Sequence, residues 1–177
     1  DAQHLPEHDA YISINVSARQ LRAANFDECV LRVIGAHDLD PRRVRLEVTE
    51  GALLENPDQV RRLLQSLREQ GVLVQLDDFG TGYSSLSYLH RFPIYSLKID
   101  RSFVADLRPG EEGGSVPVVR AIHALADSLK LEVIGEGIET PEQCQALQAL
   151  GCKLGQGFLF SYPQAVADIA PLKFKID

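Results

Sequence analysis

Asp77 and Asp78 stand side by side at the end of the apolar run Val72-Leu73-Val74-Gln75-Leu76, and Phe79-Gly80-Thr81-Gly82 follows at once. Adjacent like charges repel, and each costs several kcal/mol to bury without a positive partner. The placement recurs along the chain. Asn15 lies in "YISINVS" (residues 11–17), Glu47 in "VRLEVTE" (44–50), Lys98 and Asp100 in "YSLKID" (95–100), Glu136 in "LEVIGEG" (131–137) and Gln156 in "KLGQGFLF" (153–160). Each of these runs reads as a β-strand, and each carries its polar residue at or near its C-terminal end. Asn, Asp and Glu oxygens are hard ligands that suit Mg²⁺ or Mn²⁺. None of the five histidines, His4, His8, His37, His90 and His123, joins the set, which argues against structural zinc. Two cations sharing Asp77 and Asp78 would give the pair a physical reason. Two metals a few ångströms apart make hydroxide from water and stabilise both oxygens of a phosphoryl displacement. Lys98 would then orient the water or neutralise a phosphoryl oxygen, and Gln156 would hold a water or a phosphate.

Plainer readings exist for each residue alone. A single acid at a strand end is commonly a helix cap. Lys98 alone reads as a surface lysine, and Asn15 as a cap for the Arg19-Gln20-Leu21 turn. Gly80 and Gly82 allow "DDFGTG" to be only a turn. A turn, however, does not require two acids before it, and six strands in succession end in the same way.

The elements that must position these residues alternate between strand and helix. Phe26 to His37 has helical spacing, with Phe26, Val30, Val33 and Ile34 on one face. Asn56-Pro57 opens a helix through Gln70 that Gly71 stops. Val116 to Leu129 is a third helix, and Thr140-Pro141-Glu142 has the chemistry of a helix start. Alternation with short loops predicts a parallel sheet, either open and doubly wound or closed as a (β/α)8 barrel. No glycine-rich phosphate loop follows the first strand, so a dinucleotide-binding open sheet is disfavoured. Site residues gathered at the C-terminal ends of many strands favour the barrel. The sequence supplies about six strand–helix units, and a closed barrel needs eight. The expected fold class is therefore α/β, a TIM-like (β/α)8 barrel that is incomplete.

The 177 residues, 45% hydrophobic and 24% charged, are one domain's worth and enough for a sizeable core. A formal charge of −7 argues against a nucleic-acid polymer or an anionic membrane as partner. It permits a small phosphorylated ligand, because bound metal inverts the local sign. Cys29, Cys144 and Cys152 form no CxxC pair and read as small buried apolar residues in a reducing compartment. No apolar run is long enough to span a bilayer. The expected location is the cytoplasm, as a free domain or as the cytoplasmic part of a membrane-anchored protein.

The segments "INVSARQL", "LEVTE", "LDDFGTGYSSLSYL", "LKIDRSFV", "GEGIET" and "GQGFLFSYP" occur in this order and together resemble the EAL domain family, the bacterial phosphodiesterases specific for cyclic di-GMP. The resemblance covers residues 11–163, and "DDFGTGYSSL" followed by "LKID" is highly specific. It implies a barrel with one antiparallel strand and hydrolysis of cyclic di-GMP to linear pGpG. Asn15, Glu47, Asp77 and Glu136 resemble ligands of a first metal, and Asp78, with Asp77 as a bridge, those of a second. Lys98 resembles the lysine on the hydrolytic water, Asp100 a nearby acid, and Gln156 a glutamine lining the substrate site. Glu50 and Glu139 resemble supporting acids, Glu50 as the anchor of the loop after "DDFGTG". That loop also implies a homodimer. The implied cofactors are Mg²⁺ or Mn²⁺, with Ca²⁺ inhibitory, and sensory or GGDEF-type domains are implied upstream.

The sequence departs from the family pattern in one large respect. The Glu-Ala-Leu tripeptide that names the family, its glutamate a metal ligand and its following arginine a phosphate contact, is not in the chain. The expectation is that residues 1–177 are an EAL domain lacking its N-terminal portion, poorly active alone, with an exposed sheet edge. Phe158, where tyrosine is commoner, and Gly135 before Glu136 are mild departures. Two functional readings follow, an active metal-dependent phosphodiesterase and an inactive EAL-type module that binds cyclic di-GMP and signals. Every ligand position within the chain is intact, which favours the enzyme.

Overall fold

A computed structural model describes residues 11–82 and 89–165. Six parallel strands form one sheet: β1 (Ile12–Val16), β2 (Val44–Thr49), β3 (Leu73–Phe79), β4 (Ser96–Ile99), β5 (Glu132–Gly135) and β6 (Leu154–Gly155). Their spatial order is their order in the chain. An open doubly wound sheet reverses its strand order at a switch point, and this sheet has none. It is a half-barrel wall, as the strand-end pattern predicts.

The strand residues sort by period two. One face is apolar: Val44, Leu46 and Val48 of β2, Val74 and Leu76 of β3, Leu97 and Ile99 of β4, and Val133 of β5 are all buried. Helices cover this face. The helix α4 (Pro57–Glu69) starts with proline at its first turn and buries Val60, Leu64 and Leu67 on one stripe. Gly71, at φ +95°, ends it in a conformation that favours glycine. The helix α6 (Val116–Leu129) buries Val116, Val119, Ile122 and Ala126. Each fully buried Leu or Val contributes roughly 1.5–3 kcal/mol. The other face of the sheet carries Glu47, Gln75, Asp77, Ser96 and Lys98. A period-two strand therefore puts apolar residues under the helices and polar ones inside the half-barrel.

Local chemistry fixes the remaining elements. The short helix α1 (Ala18–Leu21) is capped by Ser17, whose side chain pairs with the backbone of Gln20 in a reciprocal capping box. Asn15 is therefore not the cap; it lies two residues earlier, still in the strand. Helix α2 (Phe26–Ala36) buries Ile34 and packs Phe26 and Val30 against the core, but Val33 is 51% exposed. Steps of four residues keep Phe26, Val30 and Ile34 in one row, and Val33 falls beside it. Two short helices follow strands directly, α3 (Glu50–Leu54) after β2 and α5 (Arg101–Val104) after β4. Thr140 caps α7 (Pro141–Ala149) in a second capping box with Gln143. Gln143 also donates to the Ala105 carbonyl at 3.2 Å, which ties α7 to the end of α5.

The last strand is much shorter than residues 153–160. After Gly155 the backbone bonds Gln156 to Gly135 at 2.9 Å, and Leu159 then bonds to Ile138, also at 2.9 Å. A Cβ at Gly157 would lie 2.1 Å from the Ile138 carbonyl oxygen. The chain passes over that backbone too closely for any side chain, and it turns there instead of extending. Of the cysteines only Cys152 is buried; Cys29 is exposed and Cys144 half-buried.

Candidate metal centre

The polar residues converge at the C-terminal ends of the strands. Parallel register sets Asn15 beside Glu47, and Thr49 beside Asp77. Between β3 and β4 the register breaks. Leu76 pairs with Leu97 and Phe79 with Ile99, so Asp77 and Asp78 together face the single residue Lys98. Two residues opposite one is a β-bulge. Asp78 adopts φ +53°, the left-handed region that few non-glycine residues enter, Asp and Asn among them. In a regular strand, consecutive side chains point to opposite faces. The bulge cancels that alternation and brings both carboxylates to one side.

A carboxylate oxygen from each of Asp77, Asp78 and Glu136 lies within 4.8 Å of the other two. Lys98 fills the space beside them. Its side chain is only 2% exposed, so it is no surface lysine. Its Nζ lies 2.8 Å from Glu47 Oε2, 3.0 Å from Asp77 Oδ1, and in close contact with Glu136 Oε1. Gln156 Nε2 donates to Glu136 Oε1 at 2.8 Å. Asp100 caps α5, accepting from the Ser102 amide at 2.9 Å and from the Ser102 hydroxyl. The capping role and a place beside Asp78 are thus held by one residue.

The electrostatics of the cluster are those of an acid excess. Five carboxylates (Glu47, Asp77, Asp78, Asp100, Glu136) face one ammonium, which leaves a formal excess of four negative charges. Burial pushes the Glu136 carboxyl up to about 7, against the pull of Lys98. Burial also raises Asp78, and Asp77 and Asp100 raise it further. Asp100 goes the other way: its burial cost is outweighed by hydrogen bonds from Ser102 and Asp78. Lys98 loses to burial but gains more from Glu136, Glu47 and Asp77, so its charged form is held. One ammonium does not neutralise the three acids it touches, and burial favours the neutral form of the Glu136 carboxyl.

This donor set fits hard divalent cations. All of its ligand atoms are oxygens, and two divalent ions would cancel the excess. Asn15, exposed at the sheet edge next to Glu47, can add a carbonyl oxygen.

The supporting acids lie around this centre. Glu50 opens α3, and a Cβ at Gly82 would sit 3.4 Å from its Oε2, so its carboxylate backs the loop after Asp78. Residues 83–88 of that loop lie outside the described residues, and the expected dimer contact falls largely there. Glu139 is not drawn into the cluster. It lines an open cleft of about 420 Å³ with Arg101, Gln156, Phe158 and Tyr162. Gly137, at φ +63°, lets the backbone pass Arg101, whose Cβ would be 2.5 Å from a Cβ placed there. Phe158 and Tyr162 stack at 4.7 Å between ring centroids. Arg101 and Tyr162 were not singled out in the sequence, although the aromatics of "GFLFSYP" directly after Gln156 are a usable signal. Among the described residues, no helix is long and apolar enough to cross a membrane.

Comparison with known proteins agrees with this geometry. The EAL domain model matches residues 1–163. "Cyclic di-GMP phosphodiesterase NbdA" of Pseudomonas aeruginosa is 42% identical over 165 residues, 93% of this chain and 21% of that protein. The solved PaMucR phosphodiesterase, in complex with cyclic di-GMP, superposes with a TM-score of 0.85 at 38% identity, over 93% of this chain and 66% of that one. BlrP1 of Klebsiella pneumoniae, solved with manganese and cyclic di-GMP and also with calcium and cyclic di-GMP, gives a TM-score of 0.78 at 34% identity, over 86% of this chain and 39% of that one. The chain spans between 18% and 25% of the length of the curated relatives it matches. A sequential parallel half-barrel, an acid cluster at its C-terminal mouth and a family match across most of the sequence lead to one assignment: the chain belongs to the EAL domain family.

Proposed function

We propose that this chain carries the hydrolytic site of a cyclic di-GMP phosphodiesterase, cutting one phosphodiester bond to give linear pGpG. One observation carries the reading: Asp77, Asp78 and Glu136 bring oxygens within 4.8 Å of one another beside Glu47 and a buried lysine. The names of NbdA and PaMucR, and the manganese in BlrP1, support the substrate and the ion class. Asn15, Glu47, Asp77 and Glu136 would hold one Mg²⁺ or Mn²⁺, and Asp77 with Asp78 a second. Such ions supply charge to the phosphoryl oxygens and lower the pKa of water. Ca²⁺ binds the same oxygens at longer distances and is inhibitory in this reading.

The chain's own residues do the rest. A water oxygen forms a bond to phosphorus, the bond from phosphorus to a ribose 3′ oxygen breaks, and a proton ends on that leaving oxygen. Lys98 orients the water and stabilises charge on the phosphoryl oxygen. Gln156 fixes Glu136 and contributes a hydrogen bond at the edge of the substrate site. Asn15 also faces the substrate at the open side of the cluster. Asp100 lies beside Asp78 and fixes the start of α5. Glu50 backs the loop at Gly82, and Glu139 lines the adjacent cleft. A homodimer formed through the loop after Asp78, sensory or GGDEF-type domains upstream and a cytoplasmic location complete the proposal. Among the described residues β1 and β6 are the edges of the sheet, with Ile12, Ile14 and Leu154 at least 40% exposed, which suits completion of the barrel by further strands of the same domain.

The test is direct. The intact protein is incubated with cyclic di-GMP and Mg²⁺ or Mn²⁺, and the products are separated by chromatography. The expected result is pGpG that disappears with Glu136→Ala. Tight binding of cyclic di-GMP without product would overturn the enzyme and leave a receptor site for the same dinucleotide.

A further inference from the structure

Lys98 presents a conflict between two jobs. An ammonium has three N–H donors and no acceptor. In the metal-free arrangement all three are spent, on Glu47, Asp77 and Glu136. A lysine in that state has nothing left to give to a water or a phosphoryl oxygen. Yet the same three acids are the oxygens that the proposed first metal needs.

We propose that Lys98 is the internal cation of the metal-free site, and that metal entry displaces it from at least one acid and thereby frees the N–H it uses on substrate. Metal loading and lysine activation are then one event. The lysine holds the acids together when no ion is bound, which prevents the cluster from splaying under its own repulsion. It also opposes the incoming ion, because both compete for Glu47, Asp77 and Glu136. The site is switched on by exchange of one cation for another. This inference rests on the reading of these acids as metal ligands.

The experiment measures metal binding to the intact protein without substrate, from the electron paramagnetic resonance signal of free Mn²⁺. Removing the competing charge with Lys98→Met is expected to tighten Mn²⁺ binding by about tenfold or more. Lys98→Arg, which keeps the charge, is expected to stay near the wild type. The melting temperature of Lys98→Met falls without metal and recovers with it. Equal or weaker Mn²⁺ binding by Lys98→Met overturns the proposal, because a lysine that only preorganises the ligands would weaken binding when lost. If Lys98→Met does not fold without metal, wild-type protein with ¹⁵N-labelled lysine is titrated with Mg²⁺ instead. A Lys98 Nζ resonance that moves, with faster hydrogen exchange, supports the hand-off, and an unmoved one overturns it. Glu136→Gln separates the two readings. If it binds Mn²⁺ as well as the wild type, the metal site itself fails. If it binds poorly while Lys98→Met matches the wild type, only the lysine's part fails.

Discussion

The two ends of the half-barrel interior are built from the same strands and differ in charge. At the N-terminal end the uncharged polar groups pair off. Ser13 donates to Gln75 Oε1 at 2.8 Å, and Gln75 Nε2 donates to Ser96, also at 2.8 Å, so a buried amide bridges β1, β3 and β4. Below it Arg45 lies 3.3 Å above the ring of Tyr11, 5.0 Å from that of Tyr95, and 3.9 Å from Glu132. At the C-terminal end five acids meet one lysine. The first end is formally neutral: its amide and hydroxyls pair with one another, and the Arg45 guanidinium, with Nε and Nη1 buried without a hydrogen-bond acceptor among the described residues, rests on two rings. The second carries uncompensated charge that the fold does not relieve by itself. Charge left unbalanced inside a domain is tolerated where a ligand completes it, and here the missing charge is positive.

The contrast can be broken from either side. The largest effect belongs to the acidic end. Asp77→Asn is expected to lower pGpG formation by about a thousandfold or more, because its carboxylate would serve both ions. The same change relieves repulsion, so the metal-free melting temperature should hold or rise. A fall in both would mean that the cluster is structural. Next in size is the neutral end. Gln75→Leu strands two hydroxyls and should cost roughly 1–3 kcal/mol of stability by chemical denaturation. Hydrolysis per folded molecule should stay near wild type, and loss of turnover without loss of stability would erase the distinction between the ends.

A smaller effect is set by pH. The folded carboxyl of Glu136 titrates near 7, above its ordinary value, so the neutral form is the one that folding favours. That contribution is complete below the ordinary glutamate range and is lost as pH rises through about 7. Metal-free protein should therefore melt at a lower temperature at pH 8 than at pH 5, and saturating Mg²⁺ should remove or reverse the slope. A rise of the metal-free melting temperature with pH would contradict the acid excess. The smallest effect is at Arg45. Arg45→Gln removes a cation stacked on two rings and should cost roughly 1–2 kcal/mol without changing metal affinity. A change in Mn²⁺ binding would show that the two ends are coupled.

Much of this was legible in the sequence. Strand–helix alternation, the proline and threonine helix starts, and acids at successive strand ends are local signals, because periodicity and capping depend on a few neighbouring residues. They led to a parallel barrel wall and to the residues of the cluster. The resemblance to a family added the assignment of roles. Three features were not legible. The bulge that turns Asp78 to the same side as Asp77 exists only because β3 pairs out of step with β4, a relation between segments about twenty residues apart. The burial of Lys98 follows from Glu47 of β2, Asp77 of β3 and Glu136 just after β5 converging on it, so its lone appearance in "LKID" suggested a surface residue. The early turn after Gly155 is imposed by the Ile138 backbone lying against Gly157. By itself the sequence determined which residues carry charge and on which elements they sit, since side-chain chemistry and local period are written residue by residue. Only the tertiary structure decided which charges share one pocket and which are spent on each other, because the energy of a charge depends on what packs around it.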